Sequence, residues 1–298
     1  MTRWYVRHRM TIAGAAFVLP ALAVIALFFL YPAIQSFRLS VTDWNGISPD
    51  YRFVGLDNFR EVIEAPQFKR MLSNTLFLIV LYVPVLNAIA LLLAVVIYDV
   101  GRLANFYKVV LYLPNILSMV VVGVIWKVIY NPVFGPLAYL FEKLGKPDWV
   151  QDWIGQTATV MPALSLSIVW YAVGFYLLIY LGGLSTVPKE IYESAEMDGV
   201  GWRRQLLSLT LPMIAQSVTI NVVLSIIGIL TIFDLPFILT GGGPGFASQT
   251  MAISVYIYAF KSMQQGHAMA LAVILTVITM IVALALLTAL RRKEVTDE

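Results

Sequence analysis

The sequence has no cysteine, only two histidines, and charge on just 12% of its residues. Without cysteine the chain forms no disulfide, offers no thiolate nucleophile and binds no metal through sulfur. His8 and His267 are far apart in sequence and are expected on opposite faces of a membrane, so no histidine metal site is expected within this subunit. Soluble domains carry about twice this charged fraction. The basic residues are scattered and form no stripe that would follow a nucleic-acid backbone, so no nucleic-acid partner is expected. A Gly-x-x-x-x-Gly-Lys-Ser/Thr phosphate cradle is missing, and with it the means to hydrolyse ATP. Gly-x-Ser-x-Gly and His-Glu-x-x-His are missing as well, and no aspartate pair lies in an apolar stretch, which argues against an intramembrane hydrolase.

What is present is hydrocarbon. The 298 residues are 60% hydrophobic, with a mean hydropathy of +0.82. A bilayer core takes roughly 20 apolar residues per spanning helix. Stretches of that length recur at Ile12–Ile34, Thr75–Ile97, Phe106–Ile129, Thr159–Gly182, Met213–Leu235 and Ala268–Leu290. The reading is an all-α integral membrane protein with six transmembrane helices and both termini on one side. Arg3, Arg7 and Arg9 precede the first stretch as in a cleaved signal. That stretch exceeds a signal's apolar region of about 7–15 residues and runs into Tyr31-Pro32 without a small-residue cleavage site, so a retained anchor is expected.

Lysine and arginine in short loops and ends mark the cytoplasmic side. Arg3, Arg7, Arg9, Arg102, Lys108, Lys189, Arg203, Arg204, Arg291, Arg292 and Lys293 all fall on one face of a six-helix arrangement. Both termini are therefore expected in the cytoplasm of a bacterial or archaeal cell, with the chain in its (inner) membrane. Residues Phe37–Ser73 and Asn131–Asp152 become outer segments, the first with a short surface helix over Asn58–Glu64. Gly241-Gly242-Gly243-Pro244-Gly245 opens a third, since no helix continues through such a run. The chain divides into a first helix with its outer segment (1–70), a core (71–290) and a tail (291–298).

One polar interruption stands between membrane-length apolar runs, from Pro188 to Pro212. Pro188 suits the first turn of a helix, and Glu190 complements its dipole. Ile191 and Ala195 share a face, with Tyr192 beside them. Gly199 suits a left-handed C-terminal cap, and a second amphipathic piece begins at Trp202. The reading is two short helices around a glycine turn, with Glu190, Glu193, Glu196 and Asp198 on an acidic side. A solvated loop lying on lipid headgroups is the plain alternative, although acidic groups suit anionic lipid badly. A DNA-binding helix-turn-helix has the shape but not the charge.

Glu193-Ser194-Ala195-Glu196-Met197-Asp198-Gly199, followed by Leu209-Thr210-Leu211-Pro212, resembles the EAA loop of the membrane-spanning subunits of binding-protein-dependent ABC importers. Ser194 and Val200 depart from the usual alanines. Phe233 through Pro244, together with Thr250, Tyr256-Ile257-Tyr258-Ala259-Phe260, Asn74-Thr75-Leu76, Leu113-Pro114 and Asn131-Pro132, is similar to carbohydrate-importer permeases of the maltose and glycerol-phosphate kind. The resemblance implies a type I ABC importer transmembrane-domain fold. It also implies a second permease subunit, two cytoplasmic ATP-binding subunits that hold the ATP and magnesium, and an extracytoplasmic solute-binding protein. The coupling helix would lie within 188–212, with Ile191, Tyr192 and Ala195 packing the joint, Glu193 and Asp198 orienting it, and Gly199 permitting the turn. A secondary transporter or channel for a polar solute is the alternative; it would leave the acidic loop without a purpose.

The solute path is less legible. Ser217, Asn221, Ser225 and Gly228 share a helix face. With Tyr82 and Asn87 they offer either solute contacts or the polar glue that joins membrane helices. Trp170, Tyr171 and Phe233 offer ring faces to a sugar. Asp234 and Lys127 are expected near the outer rim. Gly241, Gly242, Gly243 and Pro244 would meet the binding protein or gate the path, or simply flex. The sugar itself is not named by the sequence.

Overall fold

The computed structural model of the chain describes residues 2–291, with side chains placed for 13, 14 and 16–290. The basic tail residues Arg292 and Lys293 lie outside the described residues, as do the side chains of Arg3, Arg7, His8, Arg9 and Arg291. In chain order the helices are α1 (Thr2–Ile25), α2 (Tyr31–Leu39), α3 (Asp57–Glu64), α4 (Phe68–Asp99), α5 (Ala104–Ile116), α6 (Met119–Ile129), α7 (Pro136–Lys143) and α8 (Val160–Leu184). There follow α9 (Lys189–Met197), α10 (Trp202–Gln205), α11 (Leu211–Met213), α12 (Ala215–Thr231), α13 (Asp234–Thr240), α14 (Met251–Tyr256) and α15 (Gln265–Arg291). Among the described residues the only extended pairing is one antiparallel bridge, Thr42 with Phe53.

Four helical runs cross a membrane by length and composition: Ala16–Leu39, Phe68–Asp99, Val160–Leu184 and Gln265–Leu290. The other two expected spans are broken. The third, read from sequence as continuous over Phe106–Ile129, bends by 97° between Ile116 and Met119. Leu117 and Ser118 are extended there, and the Ser118 hydroxyl caps α6 by accepting from Val121 N–H at 3.3 Å. Pro114, in the last turn of α5, is a further helix-weakening residue beside the break. The fifth, expected over Met213–Leu235, starts at an 80° bend at Ile214 that separates it from the Trp202–Met213 segment, just after Pro212. It also stops short of the expected Leu235: Ile232 is extended, and α13 begins at Asp234. The acid in that first turn and Pro236 two residues on both favour a new helix start.

Contacts divide the chain into two compact units: residues up to Ala65 with Val255–Ile274, and Pro66–Ser254 with the part of α15 from Leu275 onward. In the first, residues 16–39 carry no buried side chain. The outer segment is tied by the buried Asn58 amide, which donates to the Ser40 and Thr42 carbonyls at 2.8 and 2.7 Å. Glu61 pairs with His267 at 2.7 Å.

The second unit is organised by α4 and α8. Met71, Thr75, Leu78, Tyr82, Leu86, Ala90, Ala94 and Ile97 are all buried along one side of α4. The spacing of three and four keeps a side chain on one face of a helix for its whole length. α8 is buried nearly all round, from Val160 to Leu184. It closes on α5 at Gly174, where a Cβ would fall on the Leu111 carbonyl oxygen and 2.7 Å from Tyr112 Cα. Small residues allow such backbone contact between membrane helices. Gly174→Ala is expected to destabilise the folded subunit by about 2 kcal/mol through overpacking. Gly182→Ala, eight residues on in open space, should leave it unchanged or slightly more stable. Thermal unfolding of both variants in detergent checks the pair.

Candidate functional site: the acidic elbow, the polar knot and the outer loop

The polar interruption folds as α9, a turn, and α10. Pro188, extended, begins it. Gly199 ends α9 with φ +71°. Val200 N–H bonds back to the Ala195 carbonyl at 2.9 Å and Gly199 N–H to Glu196 at 3.0 Å, the double closure of a glycine C-cap. The next helix is fastened to this turn by the Gln205 amide, which donates to the Val200 carbonyl at 2.9 Å.

The faces of α9 are sorted. Ala195 is buried, Ile191 and Tyr192 are half-buried, and the Tyr192 hydroxyl donates to Thr210 Oγ1 at 3.2 Å. The apolar residues that the sequence suggested as the packed joint are therefore turned toward the chain's own helices. The exposed face carries Glu193, Ser194, Glu196 and Asp198, with Met197 at 90% exposure. Met197 was not singled out from sequence, although it follows Glu193 by four residues on the acidic side. Behind the elbow is a cleft of about 270 Å³. It is lined by Tyr98 and Asp99 at the end of α4, Leu184 at the end of α8, and Lys189, Tyr192, Glu193 and Glu196 of α9. Trp202, Gln205 and Thr210 close it.

Deeper in the second unit, four of the suggested path residues meet. The Asn87 amide donates to Ser225 Oγ at 3.1 Å and to the Val83 carbonyl at 2.8 Å, while the Tyr180 hydroxyl donates to Asn87 Oδ1 at 2.7 Å. Asn221 donates to the Tyr176 carbonyl at 3.0 Å, and the Tyr82 and Tyr176 side chains are near neighbours. Tyr82, Asn221 and Ser225 are buried, and Asn221 Oδ1 is left without a well-formed hydrogen bond. The result is a neutral polar knot among α4, α8 and α12. Trp170, Tyr171 and Phe233 stand outside it. Trp170 packs edge-on to Trp126 at 5.7 Å, the Tyr171 hydroxyl reaches the Asn115 carbonyl at 3.5 Å, and Phe233 stacks on Phe237 at 4.9 Å. Asp234 and Lys127 are both exposed.

The glycine run ends α13 with Gly241 at φ +61° and continues into a loop that is far from slack. Ala247, Ser248, Gln249 and Thr250 are buried. Asn74, also buried, donates to the Phe246 and Gln249 carbonyls at 2.9 and 3.0 Å. Met251 N–H donates to Thr75 Oγ1 at 3.2 Å. Gly243 and Pro244 line an open cleft with Lys127, Tyr130, Asn131 and Asp152.

Comparison with known proteins agrees with this architecture. Residues 66–295 match the family described as binding-protein-dependent transport system inner membrane component. The chain is 33% identical over 270 residues to the probable ABC transporter permease protein YurN of Bacillus subtilis, covering 90% of this chain and 92% of that one. It is 34% identical over 280 residues to the diacetylchitobiose uptake system permease protein NgcF of Streptomyces coelicolor, covering 90% and 79%. Its fold is similar to a chain of a bacterial alginate ABC transporter, solved in complex with an alginate pentasaccharide-bound periplasmic protein. That match has a TM-score of 0.85, 21% identity and 99% of each chain covered. The match spans the whole helical core: this protein belongs to the family of binding-protein-dependent transport system inner membrane components, which are transport subunits and not enzymes.

Proposed function

We propose that the subunit forms half of the path by which a carbohydrate enters the cell, and that α9 is the handle through which a separate cytoplasmic ATPase moves it. The observation that carries this reading is the sorting of α9, with its apolar side anchored inward and its acidic side and Met197 presented outward. An interaction helix fixed to its own bundle transmits force to whatever grips its exposed face. The carbohydrate assignment is supported by the diacetylchitobiose relative. The remaining partners are a second permease subunit, two ATP-binding subunits carrying ATP and magnesium, and an external binding protein that meets the face holding Gly241, Gly242, Gly243 and Pro244. The elbow and both termini then face the cytoplasm of a bacterial or archaeal cell.

In this scheme Glu193, Ser194, Glu196, Met197 and Asp198 are the residues that meet the ATPase. Ile191, Tyr192 and Ala195 hold the helix in place, and Gly199 shapes the turn. The knot of Tyr82, Asn87, Asn221 and Ser225 joins the helices, and the ring faces of Trp170, Tyr171 and Phe233 serve the solute. The knot groups are uncharged, which gives an ion-driven transporter no carrier among them.

Two experiments test this. In the purified complex, Glu193→Arg reverses a charge on the gripped face, and Gly199→Pro removes a backbone donor and forbids φ +71°. Each is expected to abolish most solute uptake while the subunit still assembles, and normal uptake by both would refute the handle. Asn87→Leu strips the Tyr180 hydroxyl of its acceptor and should lower the unfolding temperature, at a cost of about 1–2 kcal/mol. Because its role is packing, solute preference in competition uptake should not change.

A further inference from the structure

α4 is linked toward both the elbow and the glycine loop. The Asn87–Tyr180 bond ties it to α8, which leads by a short connection into α9, and its Tyr98 and Asp99 border the cleft behind the acidic elbow. At its other end, Asn74 and Thr75 hold the glycine loop by three hydrogen bonds, two from the Asn74 amide and one accepted by Thr75. The two ends are roughly 36 Å apart along a helix rising 1.5 Å per residue. Between them the helix is continuous, though Pro84 removes one backbone donor from its middle, and it is buried along one side.

The Asn74 clamp is specific. Both amide hydrogens are used on carbonyls of residues 172 and 175 positions away in sequence, and the side chain is buried. The loop it grips holds Phe246 at φ +67°, a backbone conformation that an L-residue adopts at a cost of about 1–2 kcal/mol, with the ring 57% exposed. Within the loop Ser248 bonds to Thr240 and Gly243, and Gln249 to Ser254; the Asn74 clamp is what fastens this ordered loop to α4.

We infer that Asn74 is a positioning residue for transport: it makes the glycine loop a fixed extension of α4, so that motion at the elbow arrives at the opposite face as motion of that loop. The inference rests on the handle reading above. Coupling between distant sites travels through rigid elements and packed contacts, and α4 is such an element with a hydrogen-bonded joint at the far end. The loop is carried, not hinged.

The test uses the complete importer in lipid nanodiscs and proteoliposomes. Asn74→Asp preserves size but sets a carboxylate against two carbonyls in place of two donors. The expected result is that ATPase subunits still co-purify and basal ATP hydrolysis is unchanged, while solute carried per ATP falls about tenfold, within the range of a typical inter-site coupling. A second variant pairs Ser73→Cys with Phe246→Cys, both exposed beside the clamp in a chain that has no cysteine of its own, joined by a short thiol crosslinker. Because helix and loop move as one, uptake should survive crosslinking. Unaltered transport per ATP in Asn74→Asp, or loss of uptake on crosslinking, overturns the inference. Failure of the ATPase to bind even the unmodified subunit sinks the handle reading instead.

Discussion

In a bilayer, two apolar helices gain little by touching each other, because the lipid chains they displace are as apolar as their own side chains. The association of α4 with α8 therefore has to come from close fit and from polar groups that find partners only across the seam. Ala90 and Ala94 on α4 are buried small residues of the kind that let backbones come near. Asn87 and Tyr180 supply the directional bond, and Ser225 extends it to α12. Interhelical bonds of this type average only about 0.6 kcal/mol. What the knot adds is register: a one-residue slip would separate amide from hydroxyl and leave both unpaired in a dry interior.

That seam decides what the polar elbow can do. α8 ends at Leu184, Val187 is buried, and α9 starts at Lys189. The elbow is thus joined to the best-packed helix of its unit by a short connection with a buried anchor in it. A loop adapted to lie on lipid headgroups would turn Ile191, Tyr192 and Ala195 toward the acyl chains. Here those residues are buried or half-buried against the chain while four acidic groups are solvent-exposed, two of them, Glu193 and Glu196, at the cleft behind the elbow, which opposes that reading on both hydrophobic and electrostatic grounds.

The centres of the apolar stretches were readable in the sequence because bilayer thickness demands a minimum run of apolar residues, and the Gly199 turn because few residues but glycine take its conformation. Breaks inside apolar runs were harder. Leu117-Ser118 lies in a stretch with no charge, and its only markers, Pro114 and a cap-forming serine, occur in many intact membrane helices. The glycine loop was open to a flexible reading because glycine and proline report local backbone freedom. Its order comes from Asn74, 172 residues from Phe246, a distance no local pattern spans. The shared helix face of Asn221 and Ser225 was legible; their burial against α4 and α8 depended on which neighbours occupied that face, and a single helix's periodicity does not record its neighbours.

A permease that alternates access needs joints that yield and bodies that do not. Rigid segments are those whose polar groups are satisfied across elements, since opening them exposes unpaired donors in lipid at several kcal/mol each. By that criterion α4, α8, the knot and the clamped glycine loop form one stiff body. The yielding places are where the helical bond ladder is already interrupted. At the 97° bend the extended Leu117-Ser118 interrupts the ladder, so rotation there sacrifices few further bonds, whereas Ile214, at the 80° bend, still donates to Thr210 and accepts from Val218. The bend at Leu117-Ser118 thus falls where a moving subunit has the least to lose by flexing, and α4, helical throughout despite Pro84, lies against the stiff seam with α8.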